Sequence, residues 1–132
     1  MRNNQPVSGQ EHVLQPDATL VSVTDLKGRI VYGNPTFITI SGYTREELLG
    51  QPHNIIRHPD VPAEAFRDLW DTLEAGKPWR GIVKNRRKNG DHYWVEANAV
   101  PIVRDDSTVG YLSVRTVPAR EQIEAAQNLY DQ

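Results

Sequence analysis

Residues 79–103 read WRGIVKNRRKNGDHYWVEANAVPIV, and the alternation inside this stretch decides the fold class. Two runs rich in β-branched and aromatic residues flank Asn89-Gly90. That dipeptide is a strong hairpin signal, because a type I′ turn needs positive φ at both central residues. The stretch therefore predicts two antiparallel strands joined by a tight turn. Side chains alternate across a strand, so Gly81, Val83 and Asn85 share a side opposite Ile82 and Lys84. On the next strand Tyr93, Val95, Ala97 and Ala99 alternate with Trp94, Glu96, Asn98 and Val100.

Downstream, TVGYLSVRTV at 108–117 supplies another antiparallel strand, with Tyr111, Ser113 and Arg115 on one face and Leu112, Val114 and Thr116 on the other. Upstream, TLVSVTD and RIVYGN are β-branched runs joined by Lys27-Gly28, a further hairpin. Helical signals lie between the two groups of strands. Asn34 before Pro35 reads as an N-cap with proline in the first turn, and Gly42 stops that helix. Thr44-Arg45-Glu46-Glu47 is a capping box opening a second helix that ends at Gly50. Phe66, Leu69, Trp70 and Leu73 recur at helical spacing and mark a longer helix, with Asp60 as its plausible N-cap. A last helix runs from Arg120 to Tyr130 on a narrow stripe of Ile123, Ala126 and Tyr130. The order predicts an α+β fold: a five-stranded antiparallel sheet with helices packed on one face. Residues 1–18 form an arm or cap, 19–117 the domain, and 118–132 an exit helix.

Composition narrows the chemistry. A chain of 132 residues suits one domain with one core and one internal pocket. Fifteen basic against seventeen acidic residues leave a net charge of -2, which gives nucleic acid no global attraction. With no cysteine there is no disulfide, thiolate metal site or thiol nucleophile. No apolar run reaches the ~20 residues of a membrane span. The interrupted run Lys84, Arg86, Arg87, Lys88 reads as a solvated strand edge.

The faces suggest a cavity. Gly81, Ala97, Ala99 and Ser113 are small, and on a helix-covered face small residues leave room for a ligand, with Asn85 and Arg115 as its polar lining. The opposite face gathers Val21, Val23, Trp94, Val100, Leu112 and Val114. That patch is too apolar to be left in water, so a cap or a second subunit should cover it. A polar cluster, HNIIRHPDVP at 53–62, stands between the helices. Arg57, His58 and Asp60 could grip a diphosphate near a helix N-terminus; alternatively Asp60 caps the helix while Arg57 and His58 lie in solvent. Asn85 could bond a heteroaromatic edge or neighbouring backbone. His53, His58, Asp60 and His92 fit no tight metal-binding spacing. No serine sits in a nucleophile elbow.

The Asn34-Pro-x-Phe start, SGYTREELLGQ, KNRRKNGDHYW and GYLSVRT together resemble a PAS domain over Thr19 to Val117. HNIIRHPDVP with GKPWRGIVKNRRKNGDHYWVEANAVPIVR is similar to the sensor domain of the bacterial aerotaxis receptor family. The resemblance implies a non-enzymatic sensor that binds FAD and reports redox state. It implies a cytoplasmic domain of an inner-membrane receptor with HAMP and signalling domains downstream and the anchor outside this chain, while the apolar outer face points to a homodimer or to cover by the folded-back arm. It assigns Arg57, His58 and Asp60 to FAD, with Trp79 in the same pocket; Asn34 is a further cofactor-binding candidate, and Trp70 on its apolar stripe is either core or an electron donor within reach of the flavin. Asn85 matches the asparagine that flavin-binding LOV domains place against the isoalloxazine edge. His53 falls where those photoreceptors carry cysteine, so no cysteinyl adduct can form. Arg115 falls where they carry glutamine, and an arginine there favours negative charge on the ring. Two other PAS readings are a cofactor-free dimerisation module and a haem or small-ligand sensor, although none of the four histidines is placed as a convincing axial ligand.

Overall fold

The computed structural model describes residues 6–131. β1 (Leu20–Thr24) and β2 (Ile30–Gly33) open the fold. α1 (Pro35–Ser41), α2 (Arg45–Leu48), a 3-10 turn (His53–Ile56) and α3 (Ala63–Glu74) follow. β3 (Trp79–Arg86), β4 (His92–Arg104) and β5 (Ser107–Thr116) complete the strands, and α4 (Arg120–Tyr130) leaves them. The strands form one antiparallel sheet in the order β2-β1-β5-β4-β3. The two strand groups meet where β1 pairs with β5, with Leu20 opposite Arg115 and Ser22 opposite Ser113.

Local chemistry sets most boundaries. Asn34 Oδ1 accepts from the Phe37 N–H at 2.9 Å and from the Val21 N–H at 3.0 Å, while its Nδ2 donates to the Thr19 carbonyl at 3.0 Å. One side chain thus caps α1 and stitches it to β1. Thr44 and Glu47 close the expected capping box on α2. The start of α3 differs from expectation. Its N-cap position is Pro62, which offers no side-chain cap. Asp60 instead turns its carboxylate to Lys84 Nζ at 2.8 Å, because a buried ammonium needs a counter-charge more than a helix end needs a cap.

The turns also differ. At Asn89-Gly90 only Gly90 has positive φ, at 100°. The Gly90 N–H donates to the Arg87 carbonyl at 2.9 Å and the Arg87 N–H to Asp91 at 2.7 Å, giving a longer loop than a type I′ turn. Tertiary contacts hold that loop: the Lys88 N–H donates to the Ser41 carbonyl, and the Ser8 N–H donates to the Gly90 carbonyl. The tight turn with positive φ at both central residues is Asp105-Asp106, at 50° and 64°, between β4 and β5.

The faces follow the predicted alternation. Leu20, Ile30, Phe37, Leu48, Ile55, Ile56, Tyr93 and Val95 pack with Leu14 of the arm into the main core, under α1, α2 and the 3-10 turn. A smaller cluster of Leu73, Ala99 and Tyr111 sits under α3 with Leu69, Trp70 and Trp79. α4 lies across the other face near the β3 edge, where Tyr130 stacks on Trp94 with ring centroids 5.9 Å apart. Val100 remains exposed on that face, and Val103 and Val109 are exposed beside the β4–β5 turn. The arm pairs with the start of β4, where Glu11 bridges His92 in parallel.

The basic run is not a solvated edge. Lys84 and Arg86 are buried. Arg86 donates to the Pro6 carbonyl, the Tyr43 hydroxyl and the Lys88 carbonyl, and Arg87 donates to the Ile40 carbonyl. The two arginines thus satisfy carbonyls of the arm, of the loop after β3 and of the last turn of α1, while Lys84 pairs with Asp60.

Candidate functional site

Three hollows lie around α3, two of them against the inner face of the sheet and one at the β3 edge, where α4 also borders it. The first, about 50 Å³, is bordered by His53, Arg57, Asn85, Ala97, Ser113 and Arg115, among others. The second, about 240 Å³, opens beside Trp79, Gly81, Asp68 and Tyr130. The third, about 50 Å³, lies among Ser22, Thr24, Trp70 and Tyr111. Leu69 borders all three, so this one side chain on α3 divides a common trough. Each hollow alone is smaller than the ~300 Å³ at the low end of ligand pockets. Taken together they reach that low end.

The chemistry concentrates on Arg115. The residue is 2% exposed, and no described carboxylate stands within ion-pairing distance of it. Its Nη2 donates to Ser22 Oγ at 2.7 Å and its Nη1 lies 3.2 Å from His53 Nε2. Its guanidinium carbon stands 4.5 Å from the Phe37 ring centroid, a cation–π contact. Nε has no partner. Burial lowers the Arg115 pKa to about 10. Burial, reinforced by the Arg115 charge, drives His53 down to about 3, so its imidazole is neutral. The neutral ring accepts from Arg115 at Nε2, which leaves its proton on Nδ1.

One further polar atom along the trough lacks a partner among the described residues, Thr24 Oγ1 beside the third hollow. Tyr93 pairs across the strands with Asn85, and burial pushes its hydroxyl up to about 12 against the opposing effects of Arg115 and the Asn85 amide. A buried polar atom left unpaired costs about 1–3 kcal/mol. A buried cation without a counter-charge and an unpaired hydroxyl along one trough fit a ligand carrying several heteroatoms and negative charge. Gly81 adds a cradle: the Trp79 ring lies where a Cβ on residue 81 would project, so only glycine lets the indole fold down there.

The sequence-predicted residues separate into two groups. Asn85, Arg57, His53 and Arg115 converge on the first hollow. Trp79 borders the second, its Nε1 donating to Asp68 at 2.9 Å, and Trp70 borders the third, edge-on to Tyr111. His58 and Asp60 do not join them. Arg57 forms an antiparallel bridge with Asn85, so the segment runs along the β3 edge like a short strand. Alternation then sends Arg57 into the trough, where it lies over Phe66 at 4.6 Å, and His58 to the opposite face, edge-on to His92. Asn34 is engaged in capping and lies outside the three hollows. Sequence reasoning missed Ser22, Thr24, Phe37, Leu69 and Tyr93. The signal for the first two was present: Leu20, Ser22 and Thr24 alternate with valines, placing hydroxyls on the inner face.

A sheet roofed by helices over a polar-lined trough is the architecture of a ligand-cavity domain. The chain belongs to the PAS family, whose model, described as PAS fold, matches residues 30–114. Within it, the chain is a PAS domain of the aerotaxis-receptor kind. It is 55% identical over 130 residues to the aerotaxis receptor of Escherichia coli (strain K12), a match covering 98% of this chain and 26% of that protein. It is 31% identical over 91 residues to the nitrogen fixation regulatory protein of Klebsiella oxytoca, covering 69% of this chain and 18% of that one. The chain thus spans about a quarter or less of these curated relatives. Among solved structures, the dark structure of the blue-light photoreceptor Aureochrome1 LOV superposes with a TM-score of 0.75 at 19% identity. That match covers 85% of this chain and 84% of the other and speaks to the fold alone.

Proposed function

We propose that this domain is a non-enzymatic redox sensor that binds FAD in the trough under α3 and works as the cytoplasmic input module of an aerotaxis receptor. The observation that carries this reading is the buried Arg115 cation, with its unpaired Nε, beside a neutral histidine. A bound flavin supplies reversible electron uptake, which adds negative charge to a flat heteroaromatic ring. Arg115 and His53 would hold the ring edge where that charge falls, and Asn85 would pair with its alternating donors and acceptors. Arg57 would face the remainder of the molecule from the strand edge. His58 and Asp60 support the site indirectly by anchoring the segment that presents Arg57. Trp79 and Trp70 form the aromatic ends of the trough.

Neutral His53 can accept a proton when negative charge arrives, and Arg115 can reorient from Ser22 toward that charge. Two arrangements of these side chains separated by a few kcal/mol are enough for a population shift. Val100 and its half-buried neighbours Leu112 and Val114 on the outer face would supply a dimer contact or a seat for the signalling domains of the same receptor.

The test is the absorption spectrum of the purified protein with mass identification of the extracted chromophore. Yellow protein releasing FAD on denaturation is the expected result. A colourless protein that takes up no added FAD overturns the proposal in favour of an interaction module, and a Soret band overturns it in favour of haem.

A further inference from the structure

One buried cation joins the wall of the trough to the exit helix. Lys84 is 6% exposed and points to the face opposite the trough. Its Nζ donates to Asp60 Oδ2 at 2.8 Å and to Gln127 Oε1 of α4 at 3.4 Å. It also stands 5.6 Å from the centroid of Trp94, the ring on which Tyr130 of α4 stacks. Tyr130 in turn donates to the Ile82 carbonyl at 3.0 Å, beside Lys84 on β3. On the other side, Asp60 belongs to the segment whose Arg57 lines the trough. The Asp60 N–H donates to His58 Nδ1 at 3.1 Å, and the Arg57 guanidinium donates to the Val61 carbonyl at 3.0 Å, so residues 57–61 are tied into one piece. The Lys84 hydrogen bond holds the Asp60 carboxyl below its ordinary pKa.

We propose that Lys84 is a shared clamp that couples the trough-lining segment Arg57–Val61 to the docking of α4, so that displacing the segment loosens the helix. The physical basis is competition for compensation of a buried charge. An ammonium at this depth is tolerable only with good partners, and its stronger one, Asp60, is supplied by the segment that ligand contact at Arg57 would move. When Asp60 withdraws, the Lys84 side chain must seek water. It then leaves the space between Trp94 and Gln127 on which α4 rests. The stimulus rests on the function proposed above; the clamp itself does not.

Hydrogen exchange of the 132-residue chain, read by mass spectrometry without added ligand, tests the clamp. Asp60→Asn should speed exchange of the α4 amides by about two- to five-fold while the β4 amides stay unchanged, as expected for local opening on loss of a half-exposed pair. Asp60→Glu should restore the slow rates. In a Lys84→Met background the same Asp60→Asn change should leave α4 where Lys84→Met alone put it. Unchanged α4 exchange in Asp60→Asn, an equal rise in β4, or a full second rise in the Lys84→Met background would each overturn the clamp. Failure to bind FAD would overturn the function proposed above and leave this comparison standing.

Discussion

Arg115 Nη1 lies 3.2 Å from His53 Nε2, a cation set against a neutral imidazole with no described carboxylate paired to either. Such an arrangement costs stability in the isolated domain, because a buried cation without a counter-charge is poorly compensated.

Arg115→Met should therefore leave the ligand-free domain as stable as the parent or more stable, by up to about 1–2 kcal/mol, since replacing a poorly paired buried ion with hydrocarbon is often neutral or favourable. Under the proposed function it should at the same time weaken FAD retention by at least about ten-fold, the cost of one charge-assisted contact. Urea unfolding and FAD titration read the two effects separately. The His53 pKa, followed by NMR, should rise from about 3 in this variant, because the nearby charge that helps depress it is gone.

Stability should fall on mild acidification. His53 is held at about 3 and His58 at about 4, both chiefly by burial, against an ordinary value of 6.5. Below pH 6.5 the unfolded chain therefore takes up protons that the folded chain refuses. The stabilisation is complete above 6.5 and is lost as pH drops toward 4. Each histidine contributes a slope of about 1.4 kcal/mol per pH unit within that window. Asp60, whose ordinary value is 3.8, adds its own loss only at lower pH. Urea melts at pH 7, 6 and 5 should show the decline, and His58→Asn should make the slope shallower without abolishing it, because His53, His12 and His92 are also held below 6.5 by burial.

Leu69 divides the trough, which makes it the position for controlling volume without touching a polar group. Leu69→Trp should fill the space between the three hollows and abolish FAD uptake while far-UV circular dichroism stays native. Leu69→Ala should merge the hollows, at a stability cost of about 2–3 kcal/mol from lost packing. An uptake by Leu69→Trp equal to that of the parent chain would place the ligand elsewhere.

Strands and helices were legible because their signals are local. Period-two alternation from Gly81 to Ala99 assigned the inner face, and both strand pairings keep it, with Gly81 opposite Ala97 and Ala99 opposite Ser113. The convergence of Asn85 and Arg115 followed from the same parity. The same parity put Lys84 on the outer face, but its burial and the positions of His58 and Asp60 were not legible in this way. Their placement depends on the bridge between Arg57 and Asn85, a pairing of residues 28 positions apart that only the folded chain creates. Alternation along that short edge segment then separates Arg57 from His58, although the two are neighbours in sequence and looked like one clamp. The burial of Arg86 was hidden for a related reason: the carbonyls that satisfy it come from the arm and from the loop after β3.

The β4–β5 turn gives the last prediction. Asp105 and Asp106 both occupy the left-handed region, at φ of 50° and 64°, where a side chain is tolerated at a cost and two adjacent carboxylates also repel. No glycine relieves either position. Asn-Gly is the dipeptide this geometry favours, and at Asn89-Gly90 the chain carries it in a turn that does not use it fully. Replacing Asp105-Asp106 with Asn-Gly should therefore stabilise the domain by about 1 kcal/mol, combining relief of positive-φ strain with loss of the like-charge pair. Placing Asp-Asp at positions 89 and 90 should do the reverse and cost more. Gly90 sits at φ 100°, and a Cβ there would press on the Pro6 carbonyl of the arm. Thermal melts of the two exchanges should move in opposite directions. Equal shifts would mean that the loop contacts around Lys88 and Ser8, rather than backbone φ, set the energy of these turns.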